Sequence, residues 1–497
     1  MSWNLKIRLR ERLASEDGAI VKDWGGKRSV ALVYPNTYAV GMGNLAVHTL
    51  YGMLNEREEI ACERAFLPSK AEIAEHRRTD TPILALESQR PLAEFDAIAF
   101  SISFENDYLN LLPILDLARI PHRAADRKED SPLLIAGGAA PTLNPAATSL
   151  IFDAIVCGEA ESYADDLVPL LASGLPKAEM LAELNRMDGI FVPSVSKETK
   201  VKRRHLKNLD AWRTQTVIHS REAEFSGMHL IEIARGCPFG CAFCATPGLY
   251  RPARHRGFDC VMSMVDEGLK FRKKFGLIGA HILSHPDFVE IARAIHARGA
   301  TFSPSSVRAA DIDDERAGLL AESGHRSVSL GIEAGSEKLR DAIGKGLPDE
   351  RLIEAVATLA RRGIARIRLY FMIGFPNETE ADIEAIARLS LKISATIAAH
   401  APKAARAASV DLTISPFVPK PGTALAGARF AGEAALKSKI NIVKRLLAKE
   451  RGLSVGADAP LSSAIEAYLS QCGIDAVEFL EEAFATGNVR KALAKFT

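Results

Sequence analysis

Cys237, Cys241 and Cys244 crowd into the segment ARGCPFGCAFCATPG at the spacing C-x3-C-x2-C. Three thiolates on one short loop can converge on one metal centre, and sulfur ligands suit zinc or an iron-sulfur cluster. A structural zinc site is closed by a fourth Cys or His, commonly through a second paired arm. Here Cys260 and His255 lie downstream singly. Three ligands in place of four leave one iron of a cubane open to a further ligand, as in catalytic metal centres generally. Cys62, Cys157, Cys260 and Cys472 are isolated, and an odd total of 7 cysteines favours free thiols or metal ligands over a disulfide framework.

The elements that must position this loop follow from hydrophobic patterning. Six strand candidates, HLIEIA (229–234), LIGAHIL (277–283), ATFSPSS (300–306), SVSLGIE (327–333), RIRLYFM (366–372) and SVDLTIS (409–415), are each followed by a helical pattern. Six βα units in succession wind a parallel sheet into a partial barrel, with the cysteine loop directly after its first strand. Upstream, SVALVY (29–34), DAIAFSI (96–102), PLLIAGG (132–138) and FDAIVCGE (152–159) alternate with helical stretches at 42–55, 104–119 and 161–172. Apolar strands of that kind predict a doubly wound open sheet covered on both faces. Ligands of such sheets bind at the carboxyl ends of strands, which points to Pro35–Gly43, Ser101–Asn106, Gly137–Pro141 and Gly158–Glu161; ordinary turn chemistry is the alternative for each segment.

The expected organisation is an α/β domain over 1–186, a linker over 187–226, the partial (β/α)6 barrel over 227–425 and a small helical region over 426–497. The linker carries the basic run KVKRRHLK (200–207) and reads as solvated; the last region shows no strand signal. At 497 residues the chain has room for about three domains of roughly 150 residues. With 47% hydrophobic and 25% charged residues, the composition is that of an ordinary globular protein, not a disordered or fibrous one. Lys+Arg 63 against Asp+Glu 62 gives no general pull toward nucleic acid. The first residues, MSWNLKIRLRERLASEDG, contain no apolar core of a signal peptide, and no uncharged apolar run approaches the roughly 18 residues that span a bilayer. A cytoplasmic location is expected.

With Phe243 in the aromatic position of C-x3-C-x-aromatic-C, the loop resembles that of the radical S-adenosylmethionine superfamily. The segments GIEAGSEKLRDAIGKG (331–346), YFMIGFPNETEADI (370–383) and SPFVPKPGT (415–423) are similar to post-strand segments of members that carry an N-terminal cobalamin-binding-like domain. YPNTYAVGMGNLAVHTLY, LESQRPL, AGGAAPTLNP and CGEAE extend the resemblance through the N-terminal block, so that it covers nearly the whole chain. It implies a 4Fe-4S cluster on Cys237, Cys241 and Cys244, with S-adenosylmethionine on the open iron. It further implies reductive cleavage to methionine and a 5′-deoxyadenosyl radical, and a one-electron reductant such as flavodoxin or ferredoxin.

The same resemblance suggests cofactor contacts at Phe243, Arg308, Glu333 and Gly374. Glu333 ends the fourth strand, where a carboxylate can meet the ribose or amino group of S-adenosylmethionine; a surface Glu is the alternative. Arg308 can pair with the methionyl carboxylate, or with Asp311 or Asp313. Gly374 admits close approach of adenine, or marks a Gly-Pro turn. LSHPDF after the second strand departs from the Gly-Gly-Glu type of segment found in many relatives. Cobalamin is compatible with the N-terminal block, but NTYAVGMG lacks the His and Asp of D-x-H-x-x-G, which argues against histidine on cobalt. Without a protein ligand, cobalamin would lie beneath Gly41–Gly43 with its nucleotide tail along Gly137 and Gly158; the alternative is a degenerate domain used for docking. Two other functions stand beside this one. A transfer-RNA methylthiolase would carry three more upstream cysteines and a C-terminal β-barrel, which are not found here. A non-catalytic iron-sulfur or zinc protein would use the same three cysteines structurally.

Overall fold

The computed structural model describes residues 2–196, 201–305, 307–403 and 408–497. Lys200 of the basic run and Ser306 of the third expected barrel strand lie outside the described residues. The chain divides into two compact units, Met1–His229 with Tyr468–Thr497, and Leu230–Ala467.

The first unit is built on β1 (Arg28–Tyr34), β2 (Ile60–Phe66), β3 (Ala97–Ser101), β4 (Leu133–Gly137), β5 (Ala154–Val156) and β6 (Ile190–Phe191), in the order β2-β1-β3-β4-β5-β6. All pairings are parallel except that of β6. Ser29 to Tyr34 are buried without alternation, as expected of a central strand with helices on both faces. The order 2-1-3-4-5 reverses between β1 and β3, and that reversal opens a crevice at the strands' carboxyl ends.

β2 is not among the strands expected from the sequence. Its IACERAF interrupts the apolar pattern with Glu63 and Arg64, yet both are buried. The Arg64 guanidinium donates to Glu16 at 2.6 Å and to Glu87 at 2.7 Å, and Glu63 accepts from the Trp24 indole at 2.6 Å. Paired charges thus occupy positions where the pattern calls for apolar side chains.

The second unit begins with β7 (His229–Glu232), β8 (Ala234–Arg235), β9 (Arg254–His255), β10 (Lys274–Ile278) and β11 (Thr301–Pro304). It continues with β12 (Ser327–Glu333), β13 (Arg366–Ile373), β14 (Ser409–Pro416) and β15 (Leu453–Ala457). Strand orders are β11-β10-β7 and β12-β13-β14-β15, and a parallel bridge from Val307 to Leu330 joins the two runs. Along β12, β13 and β14 the burial alternates. Val328, Leu330, Ile332, Ile367, Leu369, Phe371, Val410, Leu412 and Ile414 are buried in one core, while Ser329, Glu333, Tyr370, Met372, Asp411 and Thr413 occupy the more open face.

Three differences from the sequence reading concern this unit. The first expected strand breaks at Ile233, after which β8 pairs antiparallel with β9. The second strand ends at Ile278, and Ile282–Ser284 form a 3-10 turn. The last region contains β15, a short parallel partner of β14 whose LSVGA is too brief and too exposed to stand out by pattern.

Candidate functional site

The cysteine loop leaves β8 at Gly236, whose φ is +82° and where an added Cβ would stand 2.4 Å from the Tyr250 carbonyl oxygen, so no side chain fits. Across its middle, the Ala242 N–H donates to the Ile343 carbonyl at 2.8 Å, and the Ala242 carbonyl accepts from the Leu425 N–H at 3.1 Å. The two segments that follow β12 and β14 therefore pin the loop from opposite sides. Gly344 lies 3.0 Å, measured from an added Cβ, from the Gly240 carbonyl at φ +71°, so glycine is required for this approach.

All three thiols are free and half-buried. Burial pushes the Cys241 thiol up; the Lys345 cation pulls it back, while Cys244, Glu333 and Cys237 push it further up. These mutual influences put the three cysteines, Glu333 and Lys345 in one neighbourhood. Among the described residues no group of three or more His, Cys, Asp or Glu forms a set that would hold a single metal ion. The three thiols fit a cubane by donor chemistry, since each would bind a different iron.

Glu333 closes β12 at a register shift, with φ +73°. Its carboxylate is paired with Lys345 at 3.0 Å, in the space that Gly331 leaves open: a Cβ on Gly331 would stand 2.8 Å from Oε1. A non-glycine residue at positive φ costs of order 1–3 kcal/mol and is found where function over-determines the backbone. Lys345 was not singled out by sequence; the only signal for it is a lysine set between two glycines in GKG.

Phe243 packs against Phe375 with ring centroids 6.0 Å apart, and Phe375 stacks on Phe417 at 4.9 Å. This small apolar cluster also contains Ala334, Leu339 and Ile343. Phe243 thus anchors the loop. Among the described residues no ion pair joins the Arg308 guanidinium to Asp311 or Asp313: Asp313 pairs with Arg316, and Oδ2 of Asp311 is buried without a hydrogen-bond partner. Its guanidinium instead lies 3.3 Å over the ring of Phe239, between Cys237 and Cys241. Gly374 has φ +94°, donates its N–H to Glu378 at 2.8 Å, and has Leu436 and Ala431 side chains at 3.0 and 3.1 Å from where a Cβ would be. The close approach it permits is with Ala431 and with Leu436 of the helix Glu433–Leu447 in its own unit.

In the first unit, side chains of the segments that follow β1 and β3 hydrogen-bond to one another at the crevice. Asn36 donates to Asp107 at 2.8 Å, and Asn44 donates to Ser103 at 2.9 Å. Burial raises the Asp107 carboxyl to about 6. His48 is buried and committed: Nε2 pairs with the Met42 carbonyl at 3.0 Å, and Nδ1 accepts from Val217 and Ile218. No imidazole of this segment is left for cobalt.

The glycines expected to lie above cobalamin, at 41–43, and along its nucleotide tail, at 137 and 158, are mostly approached by the chain itself. Gly158 faces the Arg204 carbonyl at 2.1 Å from an added Cβ, Gly41 faces Phe66 at 2.5 Å, and Gly43 faces Glu224 and Phe225 at 3.2 and 3.3 Å. The basic run is therefore not simply solvated: Arg204 bridges to Gly158, stacks on Tyr163 and pairs with Asp166 at 2.6 Å. Gly137 alone has only ordinary contacts, at 3.6 Å and beyond. The polar lip of Asn36, Asn44, Ser103 and Asp107 remains, and it suits the amide fringe of a corrin.

No helix among the described residues is long and apolar enough to cross a membrane. Residues 231–390 match the family described as the radical SAM superfamily, and residues 46–193 match its N-terminal family, described as radical SAM proteins, N-terminal. An uncharacterised protein of Methanocaldococcus jannaschii is 29% identical over 85% of this chain and 84% of its own. An uncharacterised methyltransferase of Pyrococcus horikoshii is 26% identical over 54% of this chain and 60% of its own. Among solved structures, the radical S-adenosylmethionine methyltransferase TsrM from Kitasatospora setae, with cobalamin and a 4Fe-4S cluster bound, aligns with a TM-score of 0.58. That alignment covers 94% of this chain and 99% of TsrM at 15% identity, a likeness of fold. Given a pinned three-cysteine loop at the mouth of a partial barrel, a family match that spans this loop and a second match over the N-terminal block, the chain belongs to the radical S-adenosylmethionine superfamily.

Proposed function

We propose that this radical S-adenosylmethionine enzyme is a cobalamin-dependent methyltransferase, with the cluster on Cys237, Cys241 and Cys244 and cobalamin at the β1/β3 crevice of the N-terminal sheet. The observation that carries the cluster assignment is the pinning of Ala242 by Ile343 and Leu425, which fixes the loop from two further barrel segments. The sheet order with its reversal between β1 and β3, and the methyltransferase names of relatives, support the cobalamin part.

When bound, the cluster supplies the electron that divides S-adenosylmethionine into methionine and a 5′-deoxyadenosyl radical. When bound, cobalamin supplies a methyl carrier. The chain's own residues orient and enclose. Arg308, which pairs with no carboxylate among the described residues, takes the methionyl carboxylate. Glu333, held by Lys345, faces the ribose or amino group. Phe243 fixes the loop, and Gly374 keeps the turn after β13 close to the helix that shapes the adenine end. The domain assignment follows the same reading: 1–186 serves cobalamin, 187–226 connects, 227–425 carries the radical chemistry and 426–497 completes the chain. A flavodoxin or ferredoxin would supply electrons, and a reducing cytoplasm would protect the cluster.

The experiment is anaerobic incubation with S-adenosylmethionine and reductant, with and without cobalamin, and mass analysis of the products. Methyl transfer through cobalamin yields S-adenosylhomocysteine alongside 5′-deoxyadenosine. Failure to retain cobalamin on anaerobic gel filtration, with 5′-deoxyadenosine and methionine as the only products, would replace it by a cobalamin-independent radical enzyme.

A further inference from the structure

Glycines at the carboxyl edge of an open sheet make room for a ligand only where the chain itself does not fill that room. Beyond β5 the chain fills it. Gly158 stands at φ +128° in a parallel bridge with Arg204, and an added Cβ there would lie 2.1 Å from the Arg204 carbonyl oxygen. The Arg204 N–H donates to the Cys157 carbonyl at 3.1 Å, and the Glu159 N–H donates to the Arg204 carbonyl at 3.0 Å. Two residues on, the Leu206 N–H donates to the Glu159 carboxylate at 3.0 Å. Residues 204–206 are thus hydrogen-bonded along the end of β5, and the Arg204 side chain fastens them to Tyr163 and Asp166.

The neighbouring gaps are bridged as well. Between β4 and β5, the Gly158 N–H donates at 3.1 Å to the hydroxyl of Thr142 in the helix Ala139–Leu143. Asn144, directly after that helix, donates to the Ser470 and Cys472 carbonyls at 3.2 and 2.8 Å. Between β3 and β4, a Cβ on Gly138 would stand 2.3 Å from the Ile102 carbonyl oxygen. The ends of β1 and β3 differ. The Asn44–Ser103 hydrogen bond joins the segments that carry Val40 and Phe104, and Phe225 lies 3.3 Å from where a Cβ of Gly43 would be. These three apolar side chains are 37, 43 and 41% exposed.

A corrinoid has two parts with different needs. Its ring is a broad apolar plate fringed by amides, which suits exposed apolar side chains beside an asparagine lip. Its nucleotide tail is a separate phosphoribosyl arm that needs a groove of its own. We propose that the N-terminal unit takes a corrinoid by its ring alone, with the nucleotide tail outside the protein, because residues 204–206 and Thr142 fill the tail's place between β4 and β5. The proposal rests on the assignment of cobalamin to the β1/β3 crevice. Its consequence is a site that does not distinguish a complete corrinoid from one without the nucleotide.

The test is anaerobic equilibrium dialysis of the full chain with its cluster reconstituted. Three probes are compared: hydroxocobalamin, hydroxocobinamide, which lacks the nucleotide, and cobalamin carrying biotin on the ribose hydroxyl of its tail. All three should bind one shared site with dissociation constants within about threefold of one another. Phe104→Glu, at the open end, should weaken all three alike by about tenfold, at unchanged iron content and far-ultraviolet dichroism. Cobalamin binding more than about tenfold tighter than cobinamide, or a similar loss on biotinylation, would show the tail held by protein and overturn the proposal while leaving the cobalamin reading in place. Equal binding that Phe104→Glu leaves untouched would put the ring elsewhere and overturn it too. Wild-type protein that holds its cluster and retains none of the three would overturn the cobalamin reading itself, and the proposal with it.

Discussion

Nζ of Lys345 lies 3.0 Å from Oε1 of Glu333, and Glu333 reaches that position through a backbone at φ +73°. Gly331 leaves the volume for the pair, and both partners act on the Cys241 thiol with opposite sign. A strained carboxylate, its counter-ion and a ligating thiol thus form one unit at the end of β12.

Lys345→Met leaves that carboxylate without its cation in a half-buried setting, which should cost about 1–3 kcal/mol of stability in urea titrations. Removal of the cation also takes away the influence that lowers the Cys241 thiol. Apo protein carrying Lys345→Met should therefore show slower alkylation at Cys241 than wild type at the same pH, as less thiolate is present.

Gly344→Ala puts a Cβ 3.0 Å from the Gly240 carbonyl at φ +71°. The expected cost is about 1 kcal/mol from the backbone alone, and the displaced loop should bind less iron on reconstitution. Iron per chain against an unchanged far-ultraviolet dichroism spectrum checks this.

The cysteine loop and its place after a strand are legible in the sequence because spacing and aromatic position are local features. β2 was hidden because Glu63 and Arg64 look like solvent-facing residues until Trp24, Glu16 and Glu87 are seen around them. Lys345 escapes the sequence reading for a related reason: it acquires meaning only from Cys241, far along the chain. The glycines at 41, 43 and 158 were legible as special positions, but what approaches them is this chain itself.

Arg64→Met strands Glu16 and Glu87, both fully buried, without a counter-charge. Breaking a buried network in this way should cost about 3–5 kcal/mol. Chemical denaturation followed by the fluorescence of Trp24, which lies in the same unit, would report it.

Asp107→Asn tests the carboxyl at the crevice. Burial raises its folded pKa to about 6, above the unfolded value, so the folded state binds the extra proton between about pH 4 and 6 and loses stability as pH rises through that window. The wild type should lose about 2–3 kcal/mol across it from this group, and Asp107→Asn should flatten that slope and be the more stable at pH 7. Urea midpoints at pH 4 and pH 7 decide the matter.

The most direct test of the account is formation of 5′-deoxyadenosine by the anaerobically reconstituted chain supplied with S-adenosylmethionine and dithionite. Iron and sulfide at the level of one 4Fe-4S cluster are expected, with product from the wild type and loss of both cluster and product in Cys237→Ala, Cys241→Ala and Cys244→Ala but not in Cys62→Ala or Cys260→Ala. A wild-type chain that holds zinc in place of iron and sulfide, or that loses its metal as completely in Cys260→Ala as in Cys241→Ala, would contradict it.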